Sequence, residues 1–266
     1  MAKNEELVKT APANMATIQD SRPEYLKERE GKEVRGLEEI TSNEMVLPRL
    51  ALCQNTSPQR DRTNPKYISG LQEGNFFNSL TKQIYGEKIT VMPLFFRLSR
   101  IYFKDINEGG GIICRAPHGN DCQLNDGKAC IHSAWGKDGT HPPCTEFYNY
   151  ACLIYPTNEP IVVSLKVTGI KAGKEWNSMM RLRGADPFAG LYDIKAIPAR
   201  NATGQTYYTY QIVNSIHDAG WVNAEQFKYN EKQYTVMSKQ LDSGAVKVDE
   251  STISDEAFAM RDASEM

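Results

Sequence analysis

Between Val46 and Val213 the chain alternates apolar and polar residues in short runs, and helical spacing interrupts or follows them twice. Leu47, Leu50 and Leu52 alternate around Pro48, and a loop rich in Asn, Pro, Ser and Arg follows at Asn55–Pro65. Glu87–Phe96 is β-branched and aromatic, which predicts a strand, and Pro93 within it predicts a bend or an edge. Arg97–Lys104 continues the strand. Thr145–Tyr155 and Ile161–Val167 read as a hairpin, because Pro156-Thr157-Asn158-Glu159-Pro160 between them is turn chemistry. In Gly173–Arg183 the spacing changes: Trp176, Met179, Met180 and Arg183 fall on one helical face, and Gly184 stops the helix. Leu191–Ile197 and Gln205–Val213 are two more strands, joined through Pro198–Gly204. Ala224–Leu241 is a second helix with Asn223 as its N-cap.

One long strand, a hairpin, a helix and two more strands is the order of a five-stranded OB-like barrel, with one helix after the third strand and one after the last. The fold class expected is therefore mainly β (α+β). Residues 1–45 are polar and sustain no apolar face, although Asn4–Lys9 and Pro23–Gly31 are compatible with short helices. They read as a mobile arm before a domain at 46–241, and residues 242–266 read as a disordered acidic tail.

Charge sharpens this division. Residues 1–47 hold 7 basic and 10 acidic groups (net −3), residues 242–266 hold 2 and 7 (net −5), and the body between them holds 22 and 16 (net +6). A basic body between acidic ends points to a polyanionic partner and to a tail that competes with it. No run of eighteen uncharged apolar residues occurs and the first ten residues lack an apolar core, so neither a membrane helix nor a secretory signal is expected. A cytoplasmic protein, in a host cell if phage-encoded, is the expectation.

Strand alternation assigns faces. Leu98, Arg100, Tyr102 and Lys104 share one face, and Tyr148 and Tyr150 lie opposite Phe147 and Leu153. Lys166 points away from the Ile, Val and Leu residues of its strand. Lys195 and Tyr207 fall opposite Tyr192/Ile194 and Tyr208/Tyr210/Ile212. Rings stack on bases at roughly 1–3 kcal/mol each and cations follow phosphates, so a face of this kind suits single-stranded nucleic acid of any sequence. Arg100, Tyr102, Lys104, Tyr148, Tyr150, Lys166, Lys195 and Tyr207 are the candidate DNA contacts. The plain alternative is that tyrosine is common on half-buried strands and lysine on exposed ones. Trp176 and Trp135 read as packing residues.

Four of the six cysteines and three of the four histidines lie between Cys114 and Cys144, spaced C-x7-C-x7-C-x13-C. The segment has few apolar residues and many glycines, so metal ligation rather than burial would fold it. Cys114, Cys122, Cys130 and Cys144 are the expected ligands of a structural zinc; His132 or His141 can replace one of them. Cys53 and Cys152 sit in apolar runs and read as buried thiols. The H-E-x-x-H and H-x-E…P-C-x-x-C patterns of catalytic zinc are absent, as are a phosphate loop and a nucleophile–base arrangement, so an enzyme is not expected.

The segment Leu47–Leu241 resembles a family of tailed-phage single-stranded DNA-binding proteins. The likeness rests on Leu47-Pro48-Arg49-Leu50, on Gly74-Asn75-Phe76-Phe77 and on the strand pair ending at Lys104. It extends to the cysteine-rich insertion (105–144) closed by Pro143-Cys144, and to the late strand Tyr207–Val213 with its following helix. In that family the insertion often carries a C-x-x-C pair, where this chain has Ser133 three residues after Cys130. The resemblance implies an OB-fold that coats single strands during phage replication, recombination or repair. It also implies a tail, here with Phe258 among acids, that recruits replication or recombination proteins. The rival expectations are a zinc-dependent protein-interaction module, such as a phage inhibitor of a host polymerase, and a nuclease.

Overall fold

The computed structural model describes residues 46–104, 111–117, 119, 130–137, 142–201, 204–242 and 247–248, together with Gly36. All of these but Gly36 fall in the compact unit that spans Ile40–Met266. The expected arm, its two short helices and nearly all of the acidic tail lie outside the described residues.

Eleven strands and two α-helices are described: β1 (Val46–Leu47), β2 (Arg49–Leu52), β3 (Phe76–Asn78), β4 (Ile84–Gly86), β5 (Lys88–Phe103), β6 (Ile112–Ala116), β7 (Cys144–Ile154), β8 (Pro160–Lys166), α1 (Ile170–Leu182), β9 (Tyr192–Arg200), β10 (Thr206–Asn214), α2 (Ala224–Asp242) and β11 (Lys247–Val248). Nine strands form one sheet in the order β10-β9-β5-β7-β8-β2-β3-β4, with β6 also on β5; β1 and β11 pair separately, in parallel. The protein is thus mainly β with two helices, but its sheet has nine strands where the sequence points to five. Of the four added strands, β6 lies in the cysteine-rich segment; β2, β3 and β4 have only three or four residues each, too few for alternation to show, and β2 is buried at every position.

The expected continuous strand forms as β5, Lys88–Phe103. Pro93 marks the place where the β5–β7 register shifts, between Pro93 and Phe95. A proline cannot donate to the ladder, so the strand bulges there. The bend lets β5 pair with β9 over Lys88–Val91, with β7 over Val91–Tyr102 and with β6 over Arg100–Phe103. The two expected hairpins form as β7–β8 and β9–β10. Gly184 follows α1 at φ +64°, and Asn223 caps α2, its Oδ1 accepting the Gln226 N–H at 2.8 Å.

Two cores sit on opposite faces of the sheet. The inner one gathers Val91, Tyr150, Cys152, Val163, Ile194 and Tyr210 under Trp176 of α1. The outer one gathers Met92, Leu94, Leu153 and Val162 under Phe188 and Met237, the latter on α2. The sheet curls until β10 meets the segment after β2. Gln54 closes the gap: its Nε2 donates to the Tyr208 carbonyl at 2.8 Å, and its Oε1 accepts the Tyr208 N–H at 2.9 Å. Gly74 lies at the same seam with φ +77°, and a Cβ there would stand 2.7 Å from the Tyr208 ring.

Replacing Gln54 by Leu strands both backbone groups of Tyr208. The expected loss is about 1–3 kcal/mol in urea denaturation, with faster hydrogen exchange at the Tyr208 amide. Unchanged exchange there would show that the seam closes without the side chain.

Candidate nucleic-acid interface

Residues directly opposite one another in an antiparallel ladder project to the same side. The β5–β7 register pairs Phe96 with Tyr150, Leu98 with Tyr148, Arg100 with Glu146 and Tyr102 with Cys144. Arg100, Tyr102, Tyr148 and Tyr150 therefore share the inner face, as alternation predicts. Lys195 and Tyr207 lie on the outer face, because their neighbours Ile194, Tyr208 and Tyr210 turn into the inner core. Lys166 is on the outer face as well, its Nζ 5.8 Å from the centre of the Phe147 ring. The eight candidates are thus divided between two sides and do not make one site.

Two of them are closed to solvent. Tyr150 is 0 % exposed. Its ring lies 4.2 Å from that of Trp176, and its hydroxyl donates toward the Gly173 carbonyl (2.9 Å) and Asn177 Oδ1 (3.0 Å). Burial pushes its phenol far above the ordinary range. It is a core residue, since the strand carries it beneath α1 where no base can stack. Lys166 is 1 % exposed, so it too is no surface contact.

Four of the expected residues gather at the far end of the β5–β7 ladder. Tyr148, half-buried, packs edge-on against Phe96 with ring centres 5.1 Å apart. Its phenol is raised, first by burial and then by the charge of Glu146. Arg100, half-buried, is ion-paired through Nη2 to Glu146 Oε2 at 2.8 Å, while its Nε is buried without a partner. Tyr102 lies beyond it, and exposed Lys104 follows the end of β5, its N–H bonded to the Gly111 carbonyl at 2.9 Å.

The cysteine-rich segment returns to this same end. Tyr102 is flanked across the sheet by Cys114 on β6 and by Cys144 on β7. His132, in the short helical turn Ile131–Ser133, places its ring 4.9 Å from that of Tyr102. Ser133 Oγ donates to the Cys130 carbonyl at 2.7 Å. Trp135, three residues on from His132, is 64 % exposed.

Cys114 and Cys144 stand two strands apart, about 10 Å on a flat sheet, whereas thiolates on one zinc each lie about 2.3 Å from the ion. Those two alone do not enclose a metal. Among the described residues no three His, Cys, Asp or Glu side chains stand close enough to hold one. Cys122 and His141 lie outside the described residues. Cys114 is buried, and Cys130 and Cys144 are half-buried. Their soft donors and that of His132 meet zinc's chemical preference at one end of the sheet. Cys53 and Cys152 are fully buried thiols, and burial raises them to about 11 and well above the ordinary value respectively, which makes them inert.

Among the described residues no helix is long and apolar enough to cross a membrane. No curated protein matches the chain, and neither does any solved structure. A protein-family model does match, over residues 13–242, and by that match the chain belongs to the Pam3 phage gp34-like protein family.

Proposed function

We propose that this phage protein is a non-catalytic binder of single-stranded DNA, indifferent to sequence, that acts in phage replication, recombination or repair. The observation that carries the reading is the half-exposed row Tyr102, Arg100, Tyr148 on one face of the β5–β7 ladder, at the end where Lys104, His132 and Trp135 also lie. Rings spaced along a strand offer base-stacking platforms, and the neighbouring cations follow the phosphates. The succession β5, β7, β8, α1, β9, β10 supports the OB-like reading, with α1 between its third and fourth strands and β9-β5-β7-β8 as neighbours. In OB-folds the connections between strands one and two and between strands four and five border the oligonucleotide. Here the first of these carries His132 and Trp135. The acidic segment beyond Val248 is a candidate for recruiting replication proteins and for competing with DNA.

Structural zinc belongs to the same reading. Cys114, Cys122, Cys130 and Cys144 would hold it, with His132 or His141 able to replace one thiolate. The ion would fix the insertion against Tyr102 and take no part in chemistry. Metal binding contributes roughly 10–16 kcal/mol of apparent free energy to small zinc units, enough to order a segment that lacks a core. A rival reading, a protein-interaction module, draws on Leu182 and Ile216, each 86 % exposed. They lie on the two segments that Arg183 joins by stacking 3.9 Å from the Trp221 ring.

Titration with oligo-dT at low salt is expected to quench tryptophan emission through Trp135. The log–log salt slope should be about −0.7 for each phosphate neutralised. No quenching and no shift of a labelled oligonucleotide at low salt would sink the proposal and favour the rival.

Glu146→Gln removes a carboxylate from the row and frees Arg100. Affinity for oligo-dT is expected to rise by up to about fivefold, the equivalent of the ~0.2–1 kcal/mol of an accessible ion pair. Weaker binding would mean that Glu146 orients Arg100 for the ligand.

Elemental analysis of protein purified without added metal is expected to give about one zinc per chain, lost in Cys114→Ser and Cys144→Ser. A metal-free protein whose melting temperature ignores both zinc and chelator would remove the metal from the account.

A further inference from the structure

On the outer face of the sheet, behind the row just described, a polar chain crosses four strands. Asn149 Nδ2 on β7 donates to Ser99 Oγ on β5 at 2.7 Å, Ser164 Oγ on β8 donates to Asn149 Oδ1 at 2.7 Å, and Arg49 Nε on β2 donates to Ser164 Oγ at 3.2 Å. Ser164 has given its only proton to Asn149, so it can only accept from Arg49, and the order of donors fixes the guanidinium. Arg49 is 1 % exposed, yet its Nη1 is buried with no hydrogen-bond partner, and among the described residues no carboxylate is paired with it. A guanidinium taken out of water without an anion is strongly unfavourable, and an apolar side chain of similar length would pack there at less cost. The position holds a cation whose Nη1 still lacks an acceptor.

The end of β8 nearby is strained. Lys166 lies two residues beyond Ser164 on the same face of β8, about 7 Å along the strand. Val167 follows at φ +44°, a conformation that β-branched residues avoid, and the Thr168 hydroxyl is buried without a partner. Strain and unsatisfied polar groups of this kind collect where a structure is arranged for a ligand. Phe147, three residues from the end of the β5–β7 ladder that carries Tyr102, is opposite Lys166, and Asn149 is opposite Ser164. Lys166 therefore stands between that end and Arg49.

We propose that Arg49 receives one phosphate group on the side of its guanidinium where Nη1 has no partner. The site itself requires only a phosphate; that this phosphate belongs to a bound DNA strand rests on the function proposed above. Planar guanidinium binds two phosphate oxygens at once, which lysine cannot do. Arg49 is closed to solvent, so the site requires the outer face to open around it.

The test uses the full chain, wild type and Arg49→Met, with Arg49→Lys as a variant that keeps the charge but not the fork. Melting is followed in sodium phosphate and in sodium chloride of equal ionic strength. General salting effects of phosphate act on all three proteins alike. The wild type is expected to gain several degrees more from phosphate than Arg49→Met, with Arg49→Lys between them. With oligo-dT, Arg49→Met should bind about tenfold more weakly at low salt, with a salt slope shallower by about 0.7. An equal gain from phosphate in wild type and variant overturns the site. Should Arg49→Met fail to fold, an equal gain in wild type and Arg49→Lys does the same. A phosphate gain that depends on Arg49, in a protein that ignores oligo-dT, supports the site and removes the nucleic-acid reading.

Discussion

One strand serves three partners. β5 runs sixteen residues from Lys88 to Phe103 and pairs in turn with β9, β7 and β6. A straight strand of that length cannot remain under a curled sheet. The bulge at Pro93 turns β5 where the missing N–H has already broken the ladder. Everything of functional interest depends on that bend. Before it, β5 is buried between the two cores; beyond it, Leu98, Arg100 and Tyr102 reach the end of the molecule where the cysteine-rich segment returns.

The bend also separates two chemistries carried on one ladder. On the inner side, tyrosines descend from half-buried Tyr148 to buried Tyr150, and then to Trp176 beneath α1. On the outer side, Ser99, Asn149 and Ser164 hand hydrogen bonds across to Arg49. Neither row could move to the other face without a register slip, and a one-residue slip would expose the whole inner core.

Alternation grouped residues correctly within each strand, but it did not relate one strand to the next, so it placed Arg100 and Tyr148 on the same face as Lys166 and Lys195, which lie on the other side of the sheet. It carried no information on depth. Tyr148 and Tyr150 are equivalent by parity, and only the placement of α1 over the latter distinguishes them. Lys166 points outward as its neighbours require, yet the outer face is closed at its level. The caps and stops, Asn223 and Gly184, were legible because their chemistry is local. The short strands β2 to β4 were not, because three or four buried residues show no period; without them Arg49 is an anonymous surface arginine.

The seam at Gln54 has a consequence for how the molecule keeps to itself. Among the described residues β10 has a strand neighbour on one side only, β9. Its outer edge is a row of peptide groups that could template a foreign strand. A glutamine amide, which mimics a peptide unit, occupies one position on that edge, and the ring of Tyr208 presses on Gly74 beside it. A side chain thus stands where another β-strand would dock. Loosening it would turn a closed edge into an adhesive one, and aggregation would be the first symptom, ahead of any change in ligand affinity.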